Sequence, residues 1–470
     1  MPTSLTVTLA NLIYFEKAQL PQALANRLIR LAAFQNPEFY RAQAMRMSVW
    51  DKPRVIGCAE SFPKHIGLPR GCLDAALDLL RENGIAADLN DERFPGRALE
   101  VTFVGTLRDD QLAAAKAMQA HDAGVLCAPT AFGKTVTAAA IVARRGVNTL
   151  VLVHRTELLK QWQERLQAFL GVGKSVIGTI GGGKSKPTGK IDIAVMQSVS
   201  RQGEINPLVE DYGQIIVDEC HHVGAVSFDA ILRRTKARYL LGLTATPIRR
   251  DGQQPIIFMQ CGPIRHRAST PAGAPRELEV TPYFRDAPID LPTDAGIQEV
   301  FRHLATNAAR TQVIASAVRE SIASGRKVLL LTERTEHLDA IRLALTDLVP
   351  SPRLLHGRMS KKQRAAFATE LNALAPDAPR VLLATGKLVG EGFDHPALDT
   401  LVLAMPVSWK GTLQQYAGRL HREHAGKTGV RIIDVVDTGH PALLRMWDKR
   451  QRGYRAMGYR IADSDESPLF

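Results

Sequence analysis

Val125-Leu126-Cys127-Ala128 followed by Pro129-Thr130-Ala131-Phe132-Gly133-Lys134-Thr135 is the stretch that decides the fold. An apolar run, a turn and an alanine-rich helical pattern (VTAAAIVARR) succeed one another, so it reads as strand, loop and helix. That is the context a phosphate-binding loop requires. Successive backbone N–H groups and a helix N-terminus attract an anion, and Pro129, Thr130, Ala131 and Phe132 form the cradle. Gly133 lets the backbone approach closely, Lys134 reaches the β- and γ-phosphates, and the Thr135 hydroxyl ligates Mg2+. The strict G-x-x-x-x-G-K-[ST] pattern is broken at its first position by Ala128. A chance Gly-Lys-Thr helix start is the competing reading.

Outward from this loop, short β-branched runs alternate with longer helical patterns, the mark of βαβ units and a parallel sheet. Strands are expected at Gly124–Ala128, Thr149–Val153, Ile191–Met196, Ile215–Asp218 and Tyr239–Leu243, with a helix over Leu158–Leu170. A second series is expected at Val328–Leu331, Arg353–Leu355, Val381–Ala384, Leu401–Leu403 and Arg431–Val435. The fold class is therefore α/β, with two tandem parallel-sheet domains over residues 101–250 and 301–470. Residues 251–300, rich in Pro, Gly and charge, read as a connector. Residues 1–100 read as a small N-terminal accessory domain.

The second informative stretch is Gln214-Ile215-Ile216-Val217-Asp218-Glu219-Cys220-His221. A hydrophobic strand delivers two carboxylates at its C-terminal edge, where ligands sit in doubly wound sheets. Behind a phosphate loop, Asp218 suits Mg2+ and Glu219 suits the role of general base toward water. A helix N-cap is the bland alternative. Zinc held by Cys220, His221 and His222 has no second ligand pair at zinc spacing.

The chain has 470 residues, a hydrophobic share of 45% and a net charge of +13. Collagen-like, disulfide-scaffold and disordered classes are excluded. No apolar run approaches the roughly 18–20 residues of a membrane span, and the N-terminus lacks a signal-peptide pattern. Five scattered cysteines without a C-x-x-C pair suit a reducing compartment, so a cytoplasmic location without a membrane is expected. Residues 401–460 hold 11 Lys or Arg against 4 Asp or Glu. Much of that excess is Arg445, Lys449, Arg450, Arg452, Arg455 and Arg460, on a segment with helical apolar spacing. It reads as a phosphate-tracking surface or as a solvated helix face.

Taken together, residues 105–440 resemble the superfamily 2 helicases and translocases of the DExH type. Ala128 fits that family's A-x-x-G-x-G-K-[ST] pattern, whereas Ala131 replaces its middle glycine, a departure that bears on turnover. The resemblance implies two tandem RecA-like domains, ATP and Mg2+, and a nucleic-acid partner. Arg108 and Gln111 match the adenine-reading element. Arg155 and Thr156 match motif Ia, and Gly182, Lys184, Gln197 and Ser198 sit where motifs Ib and Ic belong; all are implied nucleic-acid contacts. His221, Thr244 and Thr246 are implied to couple hydrolysis to strand movement. In the second series Thr332, Arg334 and His356 match motifs IV and IVa. Thr385 opens motif V, which ends at the nucleotide-side Asp394. Gln415, Arg419 and Arg422 match Q-x-x-G-R-x-x-R, motif VI, and its arginines are implied to stabilise the γ-phosphate from the other domain.

DECHH followed by GLTATPIRRDG looks closest to the XPB-like and restriction-type branch. The first hundred residues also resemble the region preceding the helicase in conflict-system primase-helicase proteins. The implied function is an ATP-dependent helicase or translocase, on DNA in preference to RNA, with partners in a repair or defence complex. The alternatives are an RNA-stimulated DExH ATPase and a catalytically weak nucleic-acid-binding subunit.

Overall fold

The computed structural model describes residues 3–462, apart from 130–131, 202, 222–224, 246–251, 270–276, 358, 376, 387–394, 408–409, 423 and 425–426. The chain divides into two compact units, residues 1–270 and 271–470. Among the described residues no helix is long and apolar enough to cross a membrane.

The first unit is built on an eight-stranded sheet. Its order is Lys184–Lys186, Ile177–Gly181, Ile191–Val195, Thr149–Val153, Gln214–Val217, Tyr239–Thr244, Ala123–Cys127 and Ile264–Arg267. Every pairing is parallel except that of Lys184–Lys186. The five strands expected from apolar runs form to within two residues, and Ile177–Gly181, Lys184–Lys186 and Ile264–Arg267 join them. Thr149–Val153 and Gln214–Val217 are buried along their whole length, as strands covered by helices on both faces must be. Each fully buried Val, Leu or Ile contributes about 1.5–3 kcal/mol. Helix Lys134–Arg145 presents Ala138, Ala139, Ile141 and Val142 to the core, and the small alanines let it lie close to the sheet. It ends at Gly146 in the left-handed conformation, with Arg144 and Arg145 in its last turn, where cations suit the helix dipole.

The N-terminal block carries its own sheet, ordered Glu60–Ser61, His65–Leu68, Ile13–Glu16, Ser4–Leu9 and Ala86–Asp91. Helices Gln22–Leu31 and Leu73–Glu82 pack against it. It shares one buried cluster with the larger sheet, from Leu5 and Phe15 through Ile215 and Ile257. Buried Arg70 donates to the Ala237 carbonyl and, at 2.9 Å, to the Thr235 hydroxyl. Arg265 pairs with Asp74 at 2.6 Å, and Arg93 with Asp122 at 2.8 Å.

The second unit is a seven-stranded sheet, ordered Arg353–Leu355, Val381–Thr385, Val328–Thr332, Thr400–Leu403, Gly429–Asp437, Glu277–Arg285 and Arg460–Ile461. All its pairings are parallel. Two buried charge clusters fasten helices to strand Gly429–Asp437. Asp437 accepts from Arg285 at 2.8 Å and from Arg310 at 2.9 Å. Asp434 accepts from Arg450 at 2.6 Å and from the Tyr454 hydroxyl at 2.7 Å.

Two expectations differ here. The stretch 251–300, expected to be a connector, contributes a strand to each sheet. Helix Pro255–Cys261 and strand Ile264–Arg267 belong to the first unit, and strand Glu277–Arg285 belongs to the second. The C-terminal basic run is also not one surface. Arg450 is buried in the Asp434 cluster, and Arg460 pairs with Glu279 at 3.2 Å.

Candidate functional site

The C-terminal edge of the first sheet gathers most of the predicted residues, and strand order sorts them into two groups. Gln214–Val217, Tyr239–Thr244 and Ala123–Cys127 are adjacent, so Asp218, Glu219, Thr244 and the phosphate loop converge. Val217 lies opposite Gly242, and Thr244 opposite Cys127. Gly133 caps helix Lys134–Arg145 at φ +90°, a conformation open to glycine at no steric cost. A Cβ there would come within 2.6 Å of the Gln111 amide nitrogen.

Lys134 Nζ lies 3.2 Å from Glu219 Oε1 and donates to the Ala128 carbonyl at 3.2 Å. Glu219 holds a left-handed backbone at φ +46°, which costs of order 1–3 kcal/mol for a residue with a side chain. Asp218 N donating to Leu152 O at 2.9 Å and Cys220 N to Leu243 O at 3.0 Å pin the turn on both sides. The Asp218 carboxyl is buried and accepts from Trp162 Nε1 at 2.7 Å. Burial, then the neighbouring Glu219 charge, pushes it up from 3.8 to about 6, against the pull of Trp162 and Lys134. His221 Nδ1 lies 2.8 Å from the Thr244 hydroxyl and 3.4 Å from Glu219 Oε2, so two of the three expected coupling residues are joined to each other, and His221 to Glu219.

The residues fit a divalent cation in their charge and donor chemistry. Two carboxylates, Asp218 and Glu219, face one lysine, and the oxygen donors Thr135 and Asp218 are the hard type that Mg2+ takes. Mg2+ is held by one or two carboxylates plus substrate phosphates rather than by an all-protein cage.

Arg108 and Gln111, matched to the adenine-reading element, both donate to the Phe132 carbonyl, at 2.9 and 2.7 Å. Gln111 Oε1 in turn accepts from the Arg108 backbone at 3.1 Å. In this arrangement the pair positions the phosphate loop.

On the other half of the edge, Ile177–Gly181, Ile191–Val195 and Thr149–Val153 are adjacent and end in the implied nucleic-acid contacts. Gly182 and Gly183, at φ +61° and +80°, join Gly181 to its partner Lys184. Positive φ at both central residues is the hairpin turn that glycine pairs favour. Gln197 and Ser198 are exposed on the short helix Met196–Val199, and Thr156 is exposed where helix Thr156–Leu170 begins. Burial lowers the Arg155 pKa at that helix's N-cap. The same helix carries Trp162, so one rigid element joins the two halves of the edge. The sequence reading missed Trp162, whose apolar helical spacing looks like ordinary core.

The second sheet repeats the arrangement. Thr332 lies opposite Thr385 at the ends of adjacent strands. His356 follows the next strand, and Arg334 caps helix Thr335–Ala344. Thr332 is buried with its hydroxyl 3.0 Å from His337 Nδ1. Its hydroxyl is therefore committed to the unit's interior. Arg419 and Arg422, at the end of helix Lys410–Leu420 and just beyond it, are half-buried. Thr130, Ala131, Thr246 and Asp394 lie outside the described residues, as do the side chains of Lys184 and Gln415.

Two family models match the chain: the type III restriction enzyme res subunit over residues 105–249, and the helicase conserved C-terminal domain over residues 310–424. A putative ATP-dependent RNA helicase of Acanthamoeba polyphaga mimivirus is 25% identical over 423 residues, covering 86% of this chain and 78% of that protein. The DNA 3'-5' translocase XPB2 of Sulfurisphaera tokodaii is 34% identical over 163 residues, 35% of this chain and 36% of its own. Among solved structures, the fragment of a putative HsdR subunit of a type I restriction enzyme from Vibrio vulnificus shares the fold at a TM-score of 0.53. It is 21% identical and covers 73% of this chain and 66% of that one. With both helicase domains in order on two parallel sheets, the chain belongs to the superfamily 2 helicases, in the branch of the XPB-like and restriction-type enzymes.

Proposed function

We propose that this helicase is a DNA-acting, ATP-driven helicase or translocase whose hydrolysis site is the Lys134–Asp218–Glu219 cluster. The observation that carries the proposal is the buried Asp218 carboxyl, oriented by Trp162, next to Glu219 and its ion pair with the phosphate-loop lysine. In the structure Lys134 is paired with Glu219; on the proposed reading it moves to the β- and γ-phosphates and frees Glu219 to accept a proton from the attacking water. Thr135 and Asp218 would hold Mg2+, which when bound neutralises phosphate charge. Trp162 fixes the orientation of the Asp218 carboxylate through its indole N–H. Arg419 and Arg422 supply positive charge as the transition state develops. On this reading ATP binding closes the two units, hydrolysis and phosphate release let them open, and the alternation steps the protein along a strand.

DNA is favoured by the XPB-type relative, a DNA translocase by name, together with the restriction-type family model. RNA is the second reading, favoured by the name of the mimivirus relative. Phosphate release measured with single-stranded DNA, duplex DNA and RNA separates them. Stimulation by DNA above RNA is expected. Stimulation by RNA alone would reverse the assignment, and none by any nucleic acid would leave a binding subunit.

A further inference from the structure

Helix Pro441–Ala456 has two unlike faces. Leu443, Met446, Trp447, Arg450 and Tyr454 are buried, and the Arg450–Asp434–Tyr454 cluster locks that face to strand Gly429–Asp437. On the opposite face Arg445, Lys449 and Arg452 are exposed. At about 100° and 1.5 Å per residue, these three lie within about 60° of one another and span about 10 Å of helix axis. None of the three has a carboxylate within ion-pair distance among the described residues, whereas Arg450, Arg431 and Arg460 each do. The helix's one acid, Asp448, leaves the face with excess positive charge.

We propose that Arg445, Lys449 and Arg452 form a phosphate-tracking stripe that grips the nucleic-acid backbone without reading bases. The inference rests on the nucleic-acid reading above and adds a binding surface outside the family motifs. Phosphates recur about every 3.4 Å of duplex axis on each strand and farther apart along the strand itself, so three flexible cations over about 10 Å can reach successive backbone phosphates. A protein-binding surface would carry an apolar centre ringed by charge; here the exposed apolar residue Leu444 sits off the stripe, a quarter-turn away. The buried clamp holds the three cations on a rigid helix, which limits the ordering entropy that binding costs.

The test is the affinity of the full chain for a labelled single-stranded oligonucleotide at several salt concentrations. Wild type is compared with the triple variant R445Q/K449Q/R452Q and with R445K/R452K, which keeps the charge. Removing one cation from a phosphate flattens the log-affinity against log-salt slope by about 0.7, so the triple variant is expected to lose about two units of slope. That loss should be equal for all base sequences, with turnover in the absence of nucleic acid unchanged and with R445K/R452K retaining the wild-type slope. An unaltered slope in the triple variant overturns the proposal, including the case where the stripe meets an acidic protein instead. Weaker binding with an unaltered slope also overturns it, because the interaction would not be electrostatic. Wild-type protein whose turnover ignores every nucleic acid defeats the functional reading itself, a result distinct from any change between variants.

Discussion

The two sheets bury charge in opposite ways. In the second unit each interior carboxylate has its cation: Asp437 holds Arg285 and Arg310, and Asp434 holds Arg450. In the first unit buried Asp218 is held by neutral donors, chiefly the Trp162 indole N–H, and it shares the charge of Lys134 with Glu219. A matched cluster fixes helices to a strand and has nothing left to offer a ligand. An unmatched one stores electrostatic cost that a bound cation relieves.

The largest expected effect sits with the motif VI arginines of the second unit. Arg419→Ala and Arg422→Ala should each lower kcat by on the order of 10³-fold or more, with nucleotide affinity little changed. Steady-state kinetics alongside direct nucleotide binding checks this; proportional loss of affinity at constant kcat would make the residue a ground-state ligand.

Next comes the scaffold itself. Asp437→Ala strands two buried guanidinium groups and should destabilise the second unit by about 3–5 kcal/mol, read by urea unfolding. Asp218→Asn should do the reverse. Because the folded-state pKa of Asp218 is raised from 3.8 to about 6, the wild-type protein loses stability as pH rises through that window. Above it the cost is constant. The asparagine variant escapes that cost, gaining about 1–3 kcal/mol at pH 7–8 and nothing at pH 4. Melting curves at the two pH values decide; equal stability of variant and wild type at pH 8 would remove the claim of an undercompensated site.

The smallest effect tests the tie between the halves of the first edge. Trp162→Phe keeps the packing and removes the N–H, so about tenfold more Mg2+ should be needed for half-maximal turnover. An unchanged Mg2+ requirement would make Trp162 a packing residue.

Much of this was legible in the sequence because it is local. Strand Thr149–Val153 is a threonine followed by four apolar residues, and Gly133, Lys134 and Thr135 are consecutive. Other features depend on what the chain meets elsewhere. Trp162 and Asp218 are 56 residues apart, and nothing in either neighbourhood announces the other. Arg450 looks like its exposed neighbours until Asp434 is found beneath it. Strand Glu277–Arg285 was hidden by Pro282, which reads as a breaker. Beyond Glu279 and Val280 one side of that strand has no ladder partner among the described residues, so the missing N–H breaks no described pairing there. Strand Ile264–Arg267 was hidden by its polar, half-exposed sequence IRHR.

Whether the Lys134–Asp218–Glu219 cluster hydrolyses ATP is decided by phosphate release from wild type and Glu219→Gln, each with single-stranded DNA and with bound ATP quantified in parallel. Turnover is expected in the wild type. The glutamine variant should still bind ATP, with turnover lower by about 10²-fold or more, since the general base is gone while Lys134 remains. Wild-type turnover in Glu219→Gln would contradict the assignment of Glu219.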